Sequence, residues 1–265
     1  MNMLNRSDDR MHFSDLVRMA DSAAHYRHAV MAPHETTRAM LVGSVTDAIV
    51  FGTEDKLALY PGKVRNGKEW EAFNRDCPAR TIVIQSEYDE GAASARALLD
   101  DPVSGPILRR SQHQIVRHWE YDGVPCATGI EGERGGIDCL DTCVPGYLWD
   151  VKSTNDVEPG SLSRHAIRRW WHAQLAWLID GWAASQVVPD GFRVRTNRGG
   201  LICVESSPPH VVTVLRVPER TLDDGRKSIR LWIERYKACV AENEWPGYLQ
   251  CEGELSTGWE EEDNG

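Results

Sequence analysis

Apolar and polar positions along the chain change period several times, and each change marks an element. Leu16, Met19, Ala20 and Ala23 recur at helical spacing behind Ser14, a capping residue, so a first helix is predicted there. Pro33 ends that region, and Thr36 or Thr37 opens a second helix with Ala39, Met40, Gly43, Ile49 and Val50 on its buried side. Helix spacing puts Gly43 and Asp47 on one face of it. Residues 60 to 78 read as a loop with a short helix around Trp70. Thr81 to Gln85 is a strand, and Asp89 to Asp100 an Ala-rich helix stopped by Pro102. Gln114 to Tyr121 and Pro125 to Ile130 read as a hairpin turning at Asp122-Gly123. Glu131 to Gly136 is a turn. Two further strands follow, Ile137 to Cys143 and Tyr147 to Ser153, joined around Pro145-Gly146.

Ser163 caps a strong helix running through Trp182. Phe192 to Arg195 and Leu201 to Glu205 form a hairpin around residues 197 to 200, and Val211 to Val217 is another strand. Asp223 or Asp224 starts a last helix with Ile229, Trp232, Tyr236 and Cys239 on one stripe. Helices, then a mostly antiparallel sheet, then helix, hairpin and helix predict an α+β or mixed α/β fold.

The length of 265 residues suits one domain, placed at residues 11–251, between a disordered N-terminus (1–10) and an acidic flexible tail (252–265). The net charge of −10 argues against a protein that coats nucleic acid through bulk charge, but not against a carboxylate-built active site with a local basic surface. The N-terminus lacks an apolar signal core. The most apolar run, Gln174 to Pro189, is broken by Asp180, Ser185 and Gln186. No membrane is expected, and the location read from the sequence is cytoplasmic, in a bacterial or phage-infected host cell. Seven cysteines at irregular spacing, without a CxxC, suit reduced thiols.

The stretch GGIDCLDTCVPGYLWDVKST, Gly135 to Thr154, carries chemistry. On a strand through Leu148 to Ser153, Asp150 and Lys152 share one face while Trp149 and Val151 share the other. The carboxylate can hold Mg²⁺ and the ammonium can orient water or stabilise phosphate charge. Asp138, on the preceding strand, can supply a second hard oxygen ligand. An Asp-x-Lys pair is common, and an exposed strand with a weak salt bridge is the competing reading.

The wider context resembles the RecE/exonuclease VIII group of phage and prophage nucleases in the PD-(D/E)XK superfamily. The likeness runs from about Met11 to Tyr248. It rests on MHFSDLVRMADSAAHYRH, AMLVGSVTDAIVFG, GGIDCLD, WDVKST, RRWWHAQLAWLIDGW, LICVESSPPHVVTVLRV and WPGY, in that order. The resemblance implies a restriction-endonuclease-like core: a mixed central sheet flanked by helices, with further helices at the N-terminus. Asp138 then matches the motif's first acid, Asp150 the D/E and Lys152 the lysine. The Val151 carbonyl joins the metal shell, and Gln174 matches a helix glutamine near the site. Two positions depart from the pattern. Asp47 stands where the group has a histidine after Gly43, and Gln114 where it has a glutamate, a weaker ligand that Glu131 or Glu133 could replace.

The expected cofactor is Mg²⁺, with Mn²⁺ able to substitute and no iron–sulfur cluster. Arg164, His165, Arg168 and Arg169 form one basic group and Arg109, Arg110, His113, Arg117 and His118 another. Either could meet phosphates, or be a solvated face balanced by acids. The function implied is a metal-dependent exodeoxyribonuclease on double-stranded DNA ends, working 5′ to 3′ as a homo-oligomer beside a single-strand annealing protein in phage-type recombination. The alternative is a DNA-end binding or assembly protein with a weakened or inactive site.

Overall fold

The computed structural model describes residues 9–32, 36–132, 135–186 and 198–248. It is a mixed α/β fold, as expected. The chain enters through a short strand β1 (Met11–His12), helix α1 (Phe13–Leu16) and a 3-10 turn (Val17–Ala20). The single helix predicted from Ser14 is interrupted at Asp21. A new helix, α2 (Ala23–Met31), starts there because Ser22, not Ser14, supplies the cap, accepting the His25 N–H at 3.2 Å. Helix α3 (Arg38–Val50) is capped by Thr37 as predicted, with Thr37 accepting the Met40 N–H at 3.3 Å. Its buried face differs from the prediction: Leu41, Val42, Val45, Ala48 and Val50 are buried, whereas Met40 faces solvent.

Strand β2 (Leu57–Tyr60), absent from the sequence reading, pairs parallel with β3 (Thr81–Ile84) across helix α4 (Gly67–Asp76). Helix α5 (Gln85–Asp100) begins four residues before the predicted start, since Glu87 folds back to accept the Ile84 N–H at 2.9 Å. Helix α6 (Ser104–Arg110) was also unforeseen. The predicted strand Gln114 to Tyr121 is two strands in different sheets, β4 (Ser111–Ile115) and β5 (His118–Tyr121). The Asp122-Gly123 turn has both residues at positive φ, 50° and 78°, and returns the chain into β6 (Val124–Ala127).

The central sheet has the order β10-β9-β8-β7-β4 and contains β7 (Ile137–Asp141), β8 (Leu148–Thr154), β9 (Gly199–Glu205) and β10 (Val212–Val217). All its pairs are antiparallel except β8 with β9. The helix predicted from Ser163 to Trp182 is two, α7 (Pro159–Arg168) and α8 (Trp171–Ala184), separated by Trp170 in a left-handed conformation (φ 60°). The cap of α7 is Glu158 rather than Ser163, accepting the Ser161 N–H at 2.6 Å. The final helix α9 (Glu219–Glu242) begins at Pro218, ahead of Asp223. Phe192 to Arg195, Asn197, Glu133 and the acidic tail lie outside the described residues. The hairpin that is seen joins β9 to β10.

Two apolar layers clamp the sheet. On one side Leu140 and Leu148 pack with Leu175, Trp177 and Ile179 of α8 and Leu222, Trp232 and Ile233 of α9. On the other, Cys139, Trp149, Val151, Ile202 and Val204 meet Val50 and Phe51 at the end of α3, Ala95 and Leu98 of α5, and Ile107 and Leu108 of α6. At roughly 25 cal/mol per Å², each such buried Leu or Ile contributes about 1.5–3 kcal/mol. None of the described helices is long and apolar enough to cross a membrane.

Candidate active site

Strand alternation delivers Asp150 and Lys152 to one face of β8, because Trp149 and Val151 are held in the opposite core. Asp150 is 2% exposed, and Lys152 Nζ lies 2.7 Å from its Oδ2. The two form a buried ion pair, with most of both side chains shielded from solvent.

Asp138 comes in from β7. The β7–β8 ladder carries the pairs Cys139↔Trp149 and Leu140↔Leu148, and beside them Asp138 uses its side chain where the ladder would continue. Its Oδ2 accepts the Val151 N–H at 2.9 Å, and its Oδ1 accepts from Gln114 Nε2 at 3.1 Å. Far along the hairpin, Asp141 is tied down by Arg110 at 2.9 and 2.7 Å, by the Cys143 N–H at 2.9 Å and by Trp149 Nε1 at 3.3 Å. One end of the hairpin is thereby locked and the other opens into the acid cluster.

The electrostatics follow from this crowding. Desolvation, then the charges of Asp150 and Asp47, push the Asp138 carboxyl well above the usual carboxylate range, against the pull of Lys152 and the Val151 N–H. For Lys152, burial favours the neutral amine, but Asp150, Asp138 and Asp47 outweigh it and keep the ammonium charged, above the ordinary lysine value. Asp47 on α3 thus belongs to the same charge cluster as Asp138 and Lys152. Cys203, opposite Lys152 in the ladder, is a buried thiol pushed up to about 12 by desolvation, which makes it a packing residue.

The cluster suits a hard divalent cation on a partial protein shell. Two carboxylates meet there with a third close by, a set of hard oxygen donors at one buried spot. Among the described residues no three His, Cys, Asp or Glu side chains form a ready cage. An ion that keeps several waters, as Mg²⁺ does, needs only one or two carboxylates.

Other predicted residues lie elsewhere. Gln174 is on the first turn of α8, half-buried in a depression of about 380 Å³ whose lining includes Ser14, Arg18, Arg168, Arg169 and Trp170. It makes no side-chain hydrogen bond among the described residues. Arg164, Arg168 and Arg169 are exposed, and the His165 ring lies edge-on to Trp171 at 5.1 Å. Arg117 stacks over Trp182 at 4.9 Å. Arg110 is committed to Asp141, and Arg109 to the Leu99 carbonyl at 2.8 Å. Glu131 is exposed in its turn. The Asp141–Arg110 lock and the hydrogen bond that the Gln114 amide donates to Asp138 were not foreseen from the sequence. Gly135 and Gly136, both at positive φ, were the visible signal that the chain turns sharply beside the site.

A family model described as a PDDEXK-like domain of unknown function (DUF3799) matches residues 12–255. The chain belongs to this family. Its fold is also similar to a crystal structure of a protein from Eubacterium rectale that is provisionally named an exonuclease. The TM-score is 0.56 at 12% identity, covering 92% of this chain and 86% of that one. No curated protein matches the chain. The PDDEXK-like assignment supports a nuclease that uses a divalent metal.

Proposed function

We propose that the chain is a Mg²⁺-dependent deoxyribonuclease acting on ends of double-stranded DNA, 5′ to 3′. The observation that carries this reading is the buried Asp150–Lys152 ion pair with Asp138 beside it in a PDDEXK-like fold. Asp138, Asp150, the Val151 carbonyl and Asp47 hold the ion, and Mn²⁺ substitutes. When bound, the metal supplies charge stabilisation at the scissile phosphate and activates water.

The chain's own groups do the rest. The Val151 N–H and Gln114 fix Asp138, so that carboxylate is held in place before an ion arrives. Lys152, paired with Asp150 at 2.7 Å, is placed to donate to a non-bridging phosphate oxygen or to the attacking water. Arg164, His165, Arg168, Arg169 and Arg117 contact backbone phosphates, and Gln174 borders the same basic depression. A homo-oligomer working with a single-strand annealing protein in phage-type recombination fits this chemistry.

Linear duplex labelled at the 5′ or the 3′ end tests the polarity. Early release of the 5′ label as small product supports the reading, and early release of the 3′ label reverses the polarity. A DNA-end binding protein with a weakened site is the second reading. It draws on the acid crowding at Asp138 and the lack of a three-residue cage among the described residues. End binding without cleavage in any metal would favour it.

A further inference from the structure

We infer that Gln114 is a positioning residue, a two-ended clamp that sets Asp138 against the Gly135-Gly136 turn, and that it does not ligate the metal. This rests on the nuclease reading above and specifies how one of its carboxylates is held.

Gln114, the residue before the last of β4, has φ 53°, in the left-handed region where a residue with a long side chain is uncommon. It drops out of the β4–β7 ladder, whose pairs step from His113↔Cys139 to Ile115↔Ile137. Strain of this kind persists only where the surroundings hold it. Here two bonds hold it. Gln114 Nε2 donates to Asp138 Oδ1 at 3.1 Å, and Gln114 Oε1 accepts the Gly135 N–H at 2.7 Å. The amide orientation is fixed by its partners. Turned over, Oε1 would face a carboxylate and the NH₂ would face an N–H, so both contacts would become repulsive.

The assignment of atoms decides the role. The carbonyl oxygen is the only atom of a glutamine side chain suited to a hard cation, and it already accepts from Gly135. What the site receives from Gln114 is a donor. With the Val151 N–H on Oδ2, both Asp138 oxygens are aimed from two sides, by β4 and by β8. The turn is tight at this point: a Cβ on Gly136 would come within 2.7 Å of the Ile115 carbonyl oxygen. The clamp therefore couples the turn, the strand distortion and the carboxylate.

The test uses three variants of the full chain. Gln114→Gly removes the clamp and tolerates the positive φ, so it keeps the backbone. Gln114→Glu keeps the shape but exchanges the donor for a second carboxylate. Asp138→Asn removes the acceptor charge. In the metal-free protein, the clamp predicts that the Gln114 side-chain NH₂ resonances move in Asp138→Asn. It also predicts that the Gly135 amide loses exchange protection in Gln114→Gly.

With metal, Mn²⁺ binding is measured by calorimetry and turnover at saturating Mn²⁺. Gln114→Gly is expected to lose roughly 10–100-fold in turnover that excess metal does not restore, the range for residues that orient metal ligands. Gln114→Glu is expected to lose turnover as well, whatever its Mn²⁺ affinity. Full recovery of Gln114→Gly by excess Mn²⁺, or higher turnover in Gln114→Glu, would make Gln114 a weak ligand and overturn the clamp. So would NH₂ resonances that ignore Asp138→Asn. If the unaltered protein cuts no DNA, the nuclease reading fails, and the metal-free spectra still decide the clamp on their own.

Discussion

Replacing Lys152 by methionine removes the ammonium from a cluster that holds Asp150, Asp138 and Asp47. Methionine fills most of the lysine's volume, so the perturbation is chiefly electrostatic. Lys152 has a raised pKa, so its contribution is fully present below the ordinary lysine value of 10.5 and is lost only above it; near pH 7 it is complete. Removing one partner of a buried pair typically costs about 3–5 kcal/mol. For a chain of this size each kcal/mol moves the melting temperature by about 2–4 °C, so a drop of about 6–20 °C is expected. The assay is thermal melting of the metal-free protein in EDTA. The sign of the pH dependence is fixed by Asp138. Its carboxyl is already raised, and without Lys152 it protonates more readily still, so the loss should shrink as pH falls from about 7 to about 5. Adding Asp150→Asn to Lys152→Met should return most of the stability. A drop below about 2 °C that is the same at both pH values would refute the reasoning, because it would mean the cluster is solvated rather than buried.

Three further outcomes follow from other parts of the molecule. Gly200→Ala places a Cβ 2.3 Å from the Trp149 ring and 2.6 Å from the Leu215 carbonyl oxygen, so the ring and the β10 backbone must move apart from it. Urea unfolding should show a loss of about 1–3 kcal/mol. Desolvation works against the charge on Asp141, but Arg110, the Cys143 N–H and Trp149 together hold its carboxyl below the ordinary value of 3.8. Its contribution is present above that value and lost as pH falls through the lowered one, so Asp141→Asn should show a flatter acid limb in pH-dependent melts. Reversing the exposed pair, Arg168→Glu with Arg169→Glu, should weaken duplex binding and reduce the salt slope by about one for each phosphate no longer neutralised, with the melting temperature unchanged.

The site was legible where its logic is local. Alternation along one strand suffices to put Asp150 and Lys152 together, and the paired glycines announce the turn beside Asp138. What escaped was set by distant partners. Gln114 leaves the strand geometry because Asp138 and Gly135, more than twenty residues on, hold its amide. The helix through Arg169 breaks because Trp170 turns left-handed and packs edge-on against Trp232 of α9 at 5.0 Å. Helix α6 was hidden by Gly105 and Pro106, which read as breakers, although a proline is tolerated in a first turn. Strand β2 is only four residues, LALY, between a charged turn and a Pro-Gly step, too short for its period to register.

Metal-dependent cleavage through Asp150 is the central expectation for this chain. Purified protein and its Asp150→Ala variant, incubated with linear and circular duplex DNA in Mg²⁺, Mn²⁺ or EDTA, test this in one experiment. The predicted result is degradation of linear DNA alone, with metal, by the unaltered protein only. Cleavage that survives EDTA or Asp150→Ala, or intact DNA under every metal, would contradict it.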